Sequence, residues 1–243
     1  EAVRHLDEGL AEARRLNHHN SLCLPLFFGA TMHQQLDDAA KVATLQRELA
    51  EIAEEERFPI WVAGAKVLRG WLDVVDGAPG PGGDLIAEGI RDWQATGARL
   101  MLPYFEALLA EAKVAEGRSG EAAAELRAAL KRTEATGERW YAAELHRRLA
   151  AAAAAQGDGA RAREALEAAV EVATRQGAKL WRLRAAVDLA ECLMAGGAGC
   201  EAAASLEPVV RATEGCRGRP EHNRALQFLA RIDHAPAPSR RIG

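Results

Sequence analysis

The chain has 243 residues, with 31 Lys and Arg against 35 Asp and Glu, and a formal net charge of −4 at pH 7. The two signs of charge are interspersed, so no long-range positive field attracts a polyanion, and we expect no nucleic-acid binding by this segment. No signal peptide and no run of about 18 apolar residues is present, which favours a cytoplasmic location without membrane contact.

The elements expected in chain order are all helices. A leading helix is predicted near residues 1–15, five helix pairs begin near residues 20, 60, 100, 140 and 180, and a closing helix lies near 220–232. The breaks between helices follow from two sets of glycines, each with a spacing of 40 residues: Gly97, Gly137 and Gly177, and Gly117, Gly157 and Gly197. Such a period is typical of two-helix units that bury their apolar faces by stacking on their neighbours.

Apolar residues repeat in the same register. Leu126, Leu166 and Leu206 occupy equivalent positions, and small and large apolar residues alternate around them at helical spacing. Earlier in the chain the register places non-glycine residues at the helix breaks, namely Asn17, Asp37 and Arg57.

The repeats predict one continuous domain over residues 1–232 and a disordered tail over 233–243, where two prolines and no periodicity occur. The chain begins with Glu1 inside an apolar-periodic helix that has no preceding partner. We therefore expect it to be a piece of a larger protein.

A glycine-rich segment, Gly77–Asp84, precedes a predicted helix and invites comparison with a phosphate-binding loop. It lacks the Lys-Ser/Thr pair that holds phosphate and magnesium, so a slack loop inside the second hairpin is the favoured interpretation. Asp84 and Asp158 are candidates to cap the helices that follow them.

Catalytic and metal-binding patterns are missing from the sequence. His18 and His19 are adjacent and point to different faces of a helix, which favours a solvent-exposed pair over a shared metal ligand set. The cysteines show no C-x-x-C spacing and are expected to be reduced thiols; they are Cys23, Cys192, Cys200 and Cys216. We expect no cofactor, no metal and no catalysis by this chain.

The aromatic residues fall into two groups. One column of the repeat contains Trp61, Met101, Tyr141 and Trp181 and is predicted to form core between helices. Trp71 shares its column with charged residues and is a candidate exposed hot spot, although local packing of this indole is the favoured alternative.

The second helices carry a small-large-small order, Ala162, Leu166 and Ala169, that resembles the tetratricopeptide repeat, with a longer unit than the usual one of about 34 residues. This resemblance implies an all-α, right-handed α-α superhelix in which the first helix of each pair lines a concave groove. Projected onto this chain, the pattern gives eight groove candidates: Phe27, Trp71, Tyr104, Glu111, Glu144, Arg147, Arg184 and Glu191.

Two stretches, Gly97–Ala112 and Thr136–Leu149, resemble the C-terminal repeat arrays of large bacterial proteins that join a class III adenylate/guanylate cyclase to a STAND-type ATPase. Similar arrays end some LuxR-like and antibiotic-regulatory transcription factors. The resemblance implies a non-catalytic regulatory module that binds a protein, a peptide or the upstream domains of its own polypeptide. The alternative is a small-molecule-sensing repeat domain of a LuxR-like or STAND-type regulator. No oligomeric state follows from the sequence.

Overall fold

The computed structural model describes residues 2–16, 18–213, 215 and 218–233. Asn17, Cys216 and the expected tail after residue 233 lie outside this part of the chain. Within it the structure contains twelve α-helices and no strand, which confirms the all-α class. The helices are α1 (Ala2–Leu16), α2 (His19–Gln34), α3 (Ala39–Glu55), α4 (Pro59–Val75), α5 (Pro79–Ala95), α6 (Leu102–Ala115), α7 (Ser119–Thr136), α8 (Ala142–Ala155), α9 (Gly159–Arg175), α10 (Lys179–Ala195), α11 (Gly199–Ala212) and α12 (Pro220–Asp233).

The residue contacts group into two compact units, Glu1–Glu125 and Leu126–Gly243. A single domain over residues 1–232 stays a prediction. Successive helices pack together from α1 to α6 in the first unit and from α8 to α12 in the second. The first helices of successive pairs also touch: α2 contacts α4 and α4 contacts α6 in the first unit, while α8 contacts α10 and α10 contacts α12 in the second.

Each helix from α2 to α10 ends in a turn that contains a residue with positive φ. At the end of α4, the amide of Gly77 donates to the Val74 carbonyl at 3.1 Å, and the amide of Ala78 donates to the Asp73 carbonyl at 2.8 Å. These two bonds satisfy carbonyls that the helix itself leaves open, and they need a left-handed residue at Gly77, where φ is 87°.

The left-handed turn is kept even where glycine is replaced. Asp37 and Arg57 have φ of 57° and 56°, and the amide of Arg57 donates to the Glu54 carbonyl at 3.2 Å as the glycines do at the equivalent turns. A side chain at this φ is strained because its Cβ approaches the following carbonyl. The repeat geometry therefore imposes the turn on residues that do not favour it.

The predicted slack loop at Gly77–Asp84 is wrong, because α5 begins at Pro79. Proline suits the first turn of a helix, where its missing N–H has no partner to lose. Asp84 consequently lies inside α5 and is no cap, whereas Asp158 does cap α9, its carboxylate accepting from the Arg161 amide at 3.0 Å.

The glycines of α5 have a packing role that a loop does not require. A Cβ on Gly82 would lie 2.5 Å from the carbonyl oxygen of Gly70 in α4 and 2.7 Å from a methyl carbon of Val74. Helices α4 and α5 therefore approach each other closely through glycine surfaces.

The substitution Gly82→Ala is expected to lower the free energy of unfolding by about 1–3 kcal/mol, because the methyl group meets backbone that cannot move aside. Urea denaturation measures the change. Gly9→Ala in α1 is the matched control, since nothing lies within 4 Å of its added Cβ, and it should raise stability by up to about 1 kcal/mol. Equal effects of the two substitutions would contradict the close approach.

The substitution Arg57→Gly is expected to raise the free energy of unfolding by about 1 kcal/mol, since it removes the left-handed strain and costs only the extra freedom of glycine in the unfolded chain. The same change at the exposed Arg47, inside α3, should lower stability by about 1 kcal/mol. A loss of stability in both variants would show that the turn at residue 57 is unstrained.

Candidate functional site

Charged side chains follow one another across the first helices of the second unit. Glu144 of α8 is only 1% exposed. Arg147, one turn later, donates to both of its carboxylate oxygens at 2.8–3.1 Å. The spacing of three residues places both side chains on one face of α8, so the pair is local to this helix.

The guanidinium of Arg147 also contacts the next helix pair. Arg147 also donates to Asp188 of α10 at 3.0 Å. The other oxygen of Asp188 lies 3.0 Å from Arg224 of α12, and Arg224 in turn bonds Glu191 at 3.2 Å through Nε. Three helices are thereby joined by charge-assisted hydrogen bonds.

A further pair runs parallel to this series, because Arg184 of α10 donates to Glu221 of α12 at 2.9 Å. We refer to these side chains together as the charged ladder. Its members are Glu144, Arg147, Arg184, Asp188, Glu191, Glu221 and Arg224.

Electrostatics hold the buried end of the ladder ionised. Burial by itself raises the pKa of the Glu144 carboxyl, but the charge and hydrogen bonds of Arg147, with smaller contributions from Arg148 and Arg184, outweigh it, and the pKa lies below its usual value. A buried carboxylate with fewer guanidinium neighbours would become neutral instead.

Four of the eight predicted groove residues, Glu144, Arg147, Arg184 and Glu191, belong to the ladder. The other four lie in the first unit, where Glu111 is half-buried on α6. The eight candidates therefore do not all belong to the ladder.

The three aromatic candidates are core residues and not groove residues. Phe27 is fully buried and stacks on Trp93 with ring centroids 5.5 Å apart. Tyr104 is also fully buried, and its hydroxyl donates to Gln34 at 3.0 Å. Trp71 is 5% exposed, so the exposed hot spot is wrong and the locally packed alternative holds. Large apolar rings gain more from burial than any other side chain, which explains their place in the core.

Sequence reasoning missed Asp188, Glu221 and Arg224. The repeat register contains a signal for Arg224, because its column changes from apolar to charged residues along the chain. That column contains Leu24, Gly64, Tyr104, Glu144, Arg184 and Arg224.

A cavity of about 570 Å³ opens beside the ladder, between α8, α9, α10 and the turn that precedes α11. Arg147, Asp188 and Glu191 form its charged edge, while alanines and glycines of α8, α9, α10 and the turns after α8 and α10 line most of the remainder. The cavity lies wholly within the second unit.

The charged side chains of this site bond one another. In the described part of the chain no three His, Cys, Asp or Glu side chains are grouped so that they could hold a metal ion. Cys192, beside the cavity, donates weakly to the Gly159 carbonyl at 3.8 Å. Burial raises the pKa of the Cys23 thiol to about 11, which leaves it protonated and unreactive at neutral pH.

Comparison with solved structures identifies repeat proteins. BtubC (BKLC) from P. vanneervenii is similar at 19% identity and a TM-score of 0.60, over 99% of this chain and 94% of that one. A putative kinesin light chain with nearly identical TPR-like repeats from Podosopora anserina is 22% identical, with a TM-score of 0.56, over 80% of this chain and 95% of that one.

A STAND protein with a tetratricopeptide repeat sensor from Pyrococcus horikoshii is 14% identical, with a TM-score of 0.63; the match covers 92% of this chain and 35% of that protein. No protein family profile and no curated protein matches the sequence.

None of the twelve described helices is long and apolar enough to cross a membrane. The fold is therefore a tetratricopeptide-like α-α solenoid, as predicted, and the repeat resemblance is confirmed at the level of the fold.

The substitution Arg147→Met should lower the free energy of unfolding by about 3–5 kcal/mol, because it leaves the buried Glu144 carboxylate without its main partner. Adding Glu144→Gln to the Arg147→Met variant should recover most of the lost free energy of unfolding. Chemical denaturation of the two single variants and the double variant gives the coupling free energy between Glu144 and Arg147. Arg211→Met, in an ion pair on α11 whose arginine is 70% exposed, is the control and should change stability by less than about 0.5 kcal/mol. Additive losses in the double variant would contradict the pairing.

Acid should weaken the second unit through Glu144. Its folded-state pKa is below its ordinary value of 4.5, so the unfolded chain binds the proton first as the pH falls. The stabilisation by this carboxylate is thus complete above pH 4.5 and is lost as the pH falls from there through the folded-state pKa.

Urea titrations at a series of pH values should show that the wild-type chain loses stability more steeply below pH 4.5 than Glu144→Gln does. Glu164→Gln removes an exposed carboxylate of α9 and should keep the wild-type profile. Identical profiles for all three proteins would show that Glu144 does not carry the acid sensitivity.

Proposed function

We propose that the charged ladder is a binding surface for another protein segment, and that the chain works as a non-catalytic interaction module. The observation that carries this proposal is the row of ion pairs across α8, α10 and α12. A row held in place by its own hydrogen bonds presents charges at fixed positions. Because these side chains are already ordered, the entropy cost of binding a partner is smaller.

The ladder has a buried part and an accessible part. Glu144 and Arg147 are 1% and 16% exposed, whereas Arg224 is 49% exposed. The buried part fixes the spacing of the helices. The accessible part, Arg224 and Glu191, offers a guanidinium and a carboxylate that can exchange their mutual bonds for bonds to a partner.

We further propose that the partner is a neighbouring domain of the same polypeptide in a larger bacterial signalling protein, of the kind in which a nucleotide cyclase is joined to a STAND-type ATPase. The stretches Gly97–Ala112 and Thr136–Leu149 support this assignment, and so does the fold shared with a STAND protein that has a repeat sensor. Binding of the ladder would favour one arrangement of the repeats and thereby bias the catalytic domains.

Small-molecule sensing within a LuxR-like or STAND-type regulator is the second candidate function. The cavity between α8, α9, α10 and the turn that precedes α11 favours it, because about 570 Å³ falls in the range of ligand pockets.

The parent gene upstream of Glu1 separates the two candidates. Metal-binding aspartates of a cyclase followed by a phosphate loop would support the signalling cyclase, and a helix-turn-helix segment in the parent gene would support the regulator. A parent gene without either kind of domain would contradict both assignments.

Interdomain binding is tested in the intact parent protein by hydrogen exchange. Amides of α8, α10 and α12 should be protected about tenfold more in the parent protein than in this chain alone. Arg224→Glu should abolish that gain, because it places a carboxylate beside Asp188 and Glu191.

Arg211→Glu is the matched control, since it reverses an exposed arginine on a second helix, α11. It should leave the protection unchanged. A gain of protection confined to the second helices α9 and α11, or an equal response to both charge reversals, would show that the ladder is not the binding surface.

A further inference from the structure

The cavity beside the ladder is lined on α8 by small side chains at positions where the second and third helix pairs carry larger ones. Ala151 of α8 shares its repeat column with Thr31, Trp71, Glu111 and Glu191. Ala151 lies at the edge of the cavity with Ala154 of the same helix. The equivalents of Ala154 in the two preceding pairs are valines.

The second helix pair shows which side chain fits at the position of Ala151. There Trp71 places an indole ring in the equivalent column, and the ring is buried, with 5% exposure. The fourth pair keeps the helices but has only a methyl group at this position. A fused aromatic ring is therefore a group that this chain itself packs at the equivalent place in its repeat.

The charged residues that line the cavity restrict the net charge of a ligand. Arg147 and Asp188 bond each other, and Glu191 bonds Arg224. Arg163 of α9, which also lines the cavity, pairs with Glu201 and Glu167. A charged ligand would have to separate the part-buried pair of Arg147 and Asp188 or remain without a partner, and both are costly next to an apolar wall. A neutral ligand avoids that cost.

The walls also favour a flat ligand. The backbones of Gly157, Gly159 and Gly196 lie at the cavity together with alanines of α8 and α9. Side chains this short let a planar ring approach the backbone closely, which increases the dispersion contacts on that face of the ring.

We propose that this cavity binds a neutral, planar, fused-ring aromatic molecule of about the size of indole or somewhat larger. The inference rests on the second proposed function, small-molecule sensing, and does not depend on protein binding by the ladder. It names the chemical class of the sensed ligand.

The test uses the 243-residue chain and indole as the probe, with amide NMR spectra recorded during the titration. Saturable shifts are expected at Ala151, Ala154 and Leu193, which line the cavity. Indole-3-acetate, which adds a carboxylate to the same ring, should bind at least about tenfold more weakly.

The substitution Ala151→Trp should fill the cavity with the chain's own ring and weaken indole binding at least about tenfold. Ala154→Leu is a second way to fill it and covers the case in which the larger side chain disturbs folding, which circular dichroism would reveal. Ala204→Trp, at an exposed position of α11 that does not line the cavity, is the matched control and should bind indole like the wild type.

Shifts that do not saturate, or binding that survives both cavity-filling substitutions, would overturn the inference. Tighter binding of indole-3-acetate at the same amides would overturn the neutral class and leave small-molecule sensing in place. Indole binding in the cavity without any change in the activity of the parent protein would instead overturn sensing and leave the ligand class intact.

Discussion

The left-handed residue that ends the helices at intervals of twenty residues is the constraint on which the other features depend. From Asp37 to Gly197 it recurs at this spacing, whether or not the residue is glycine. Equal spacing gives helices of similar length, and such helices keep equivalent positions on the same face. The charged ladder requires this register, because Asp188 of α10 must meet Arg147 of α8 on one side and Arg224 of α12 on the other.

One register supports two kinds of packing. In the first unit, Phe27, Trp93 and Phe105 of different helices meet ring to ring, and Tyr104 buries its ring while its hydroxyl is bonded. In the second unit the column of Tyr104 carries Glu144. Rings stabilise by excluding water and tolerate small shifts, whereas ion pairs lose most of their value when displaced. The second unit thus gains defined spacing at the expense of desolvating charges.

The sequence predicts the fold class and the positions of the helices, since these depend on periodicity, and it offers four ladder residues only as groove candidates, two of them neighbours within one helix. Glu144 and Arg147 are such neighbours. Phe27, Trp71 and Tyr104 were misplaced because a period shows which residues share a face but not how deeply the next helix covers them. Asp188 was missed because its partners lie on other helices. The helical start at Pro79 was missed because a glycine-rich stretch looks like a loop until the close approach of Gly82 to Gly70 is known.

Exposure increases along one series of the ladder, from 1% at Glu144 through 16% at Arg147 and 22% at Asp188 to 49% at Arg224. The parallel pair of Arg184 and Glu221 is 8% and 13% exposed. Dissolved ions screen exposed charges over about 8 Å at physiological ionic strength and hardly reach buried ones. Rising ionic strength therefore weakens the ion pairs of Arg224 first, and it leaves the Arg184–Glu221 pair and the junction of α8 with α10 intact. The second unit consequently joins α10 to α12 by ion pairs that respond to the salt content of the surroundings and by one that does not.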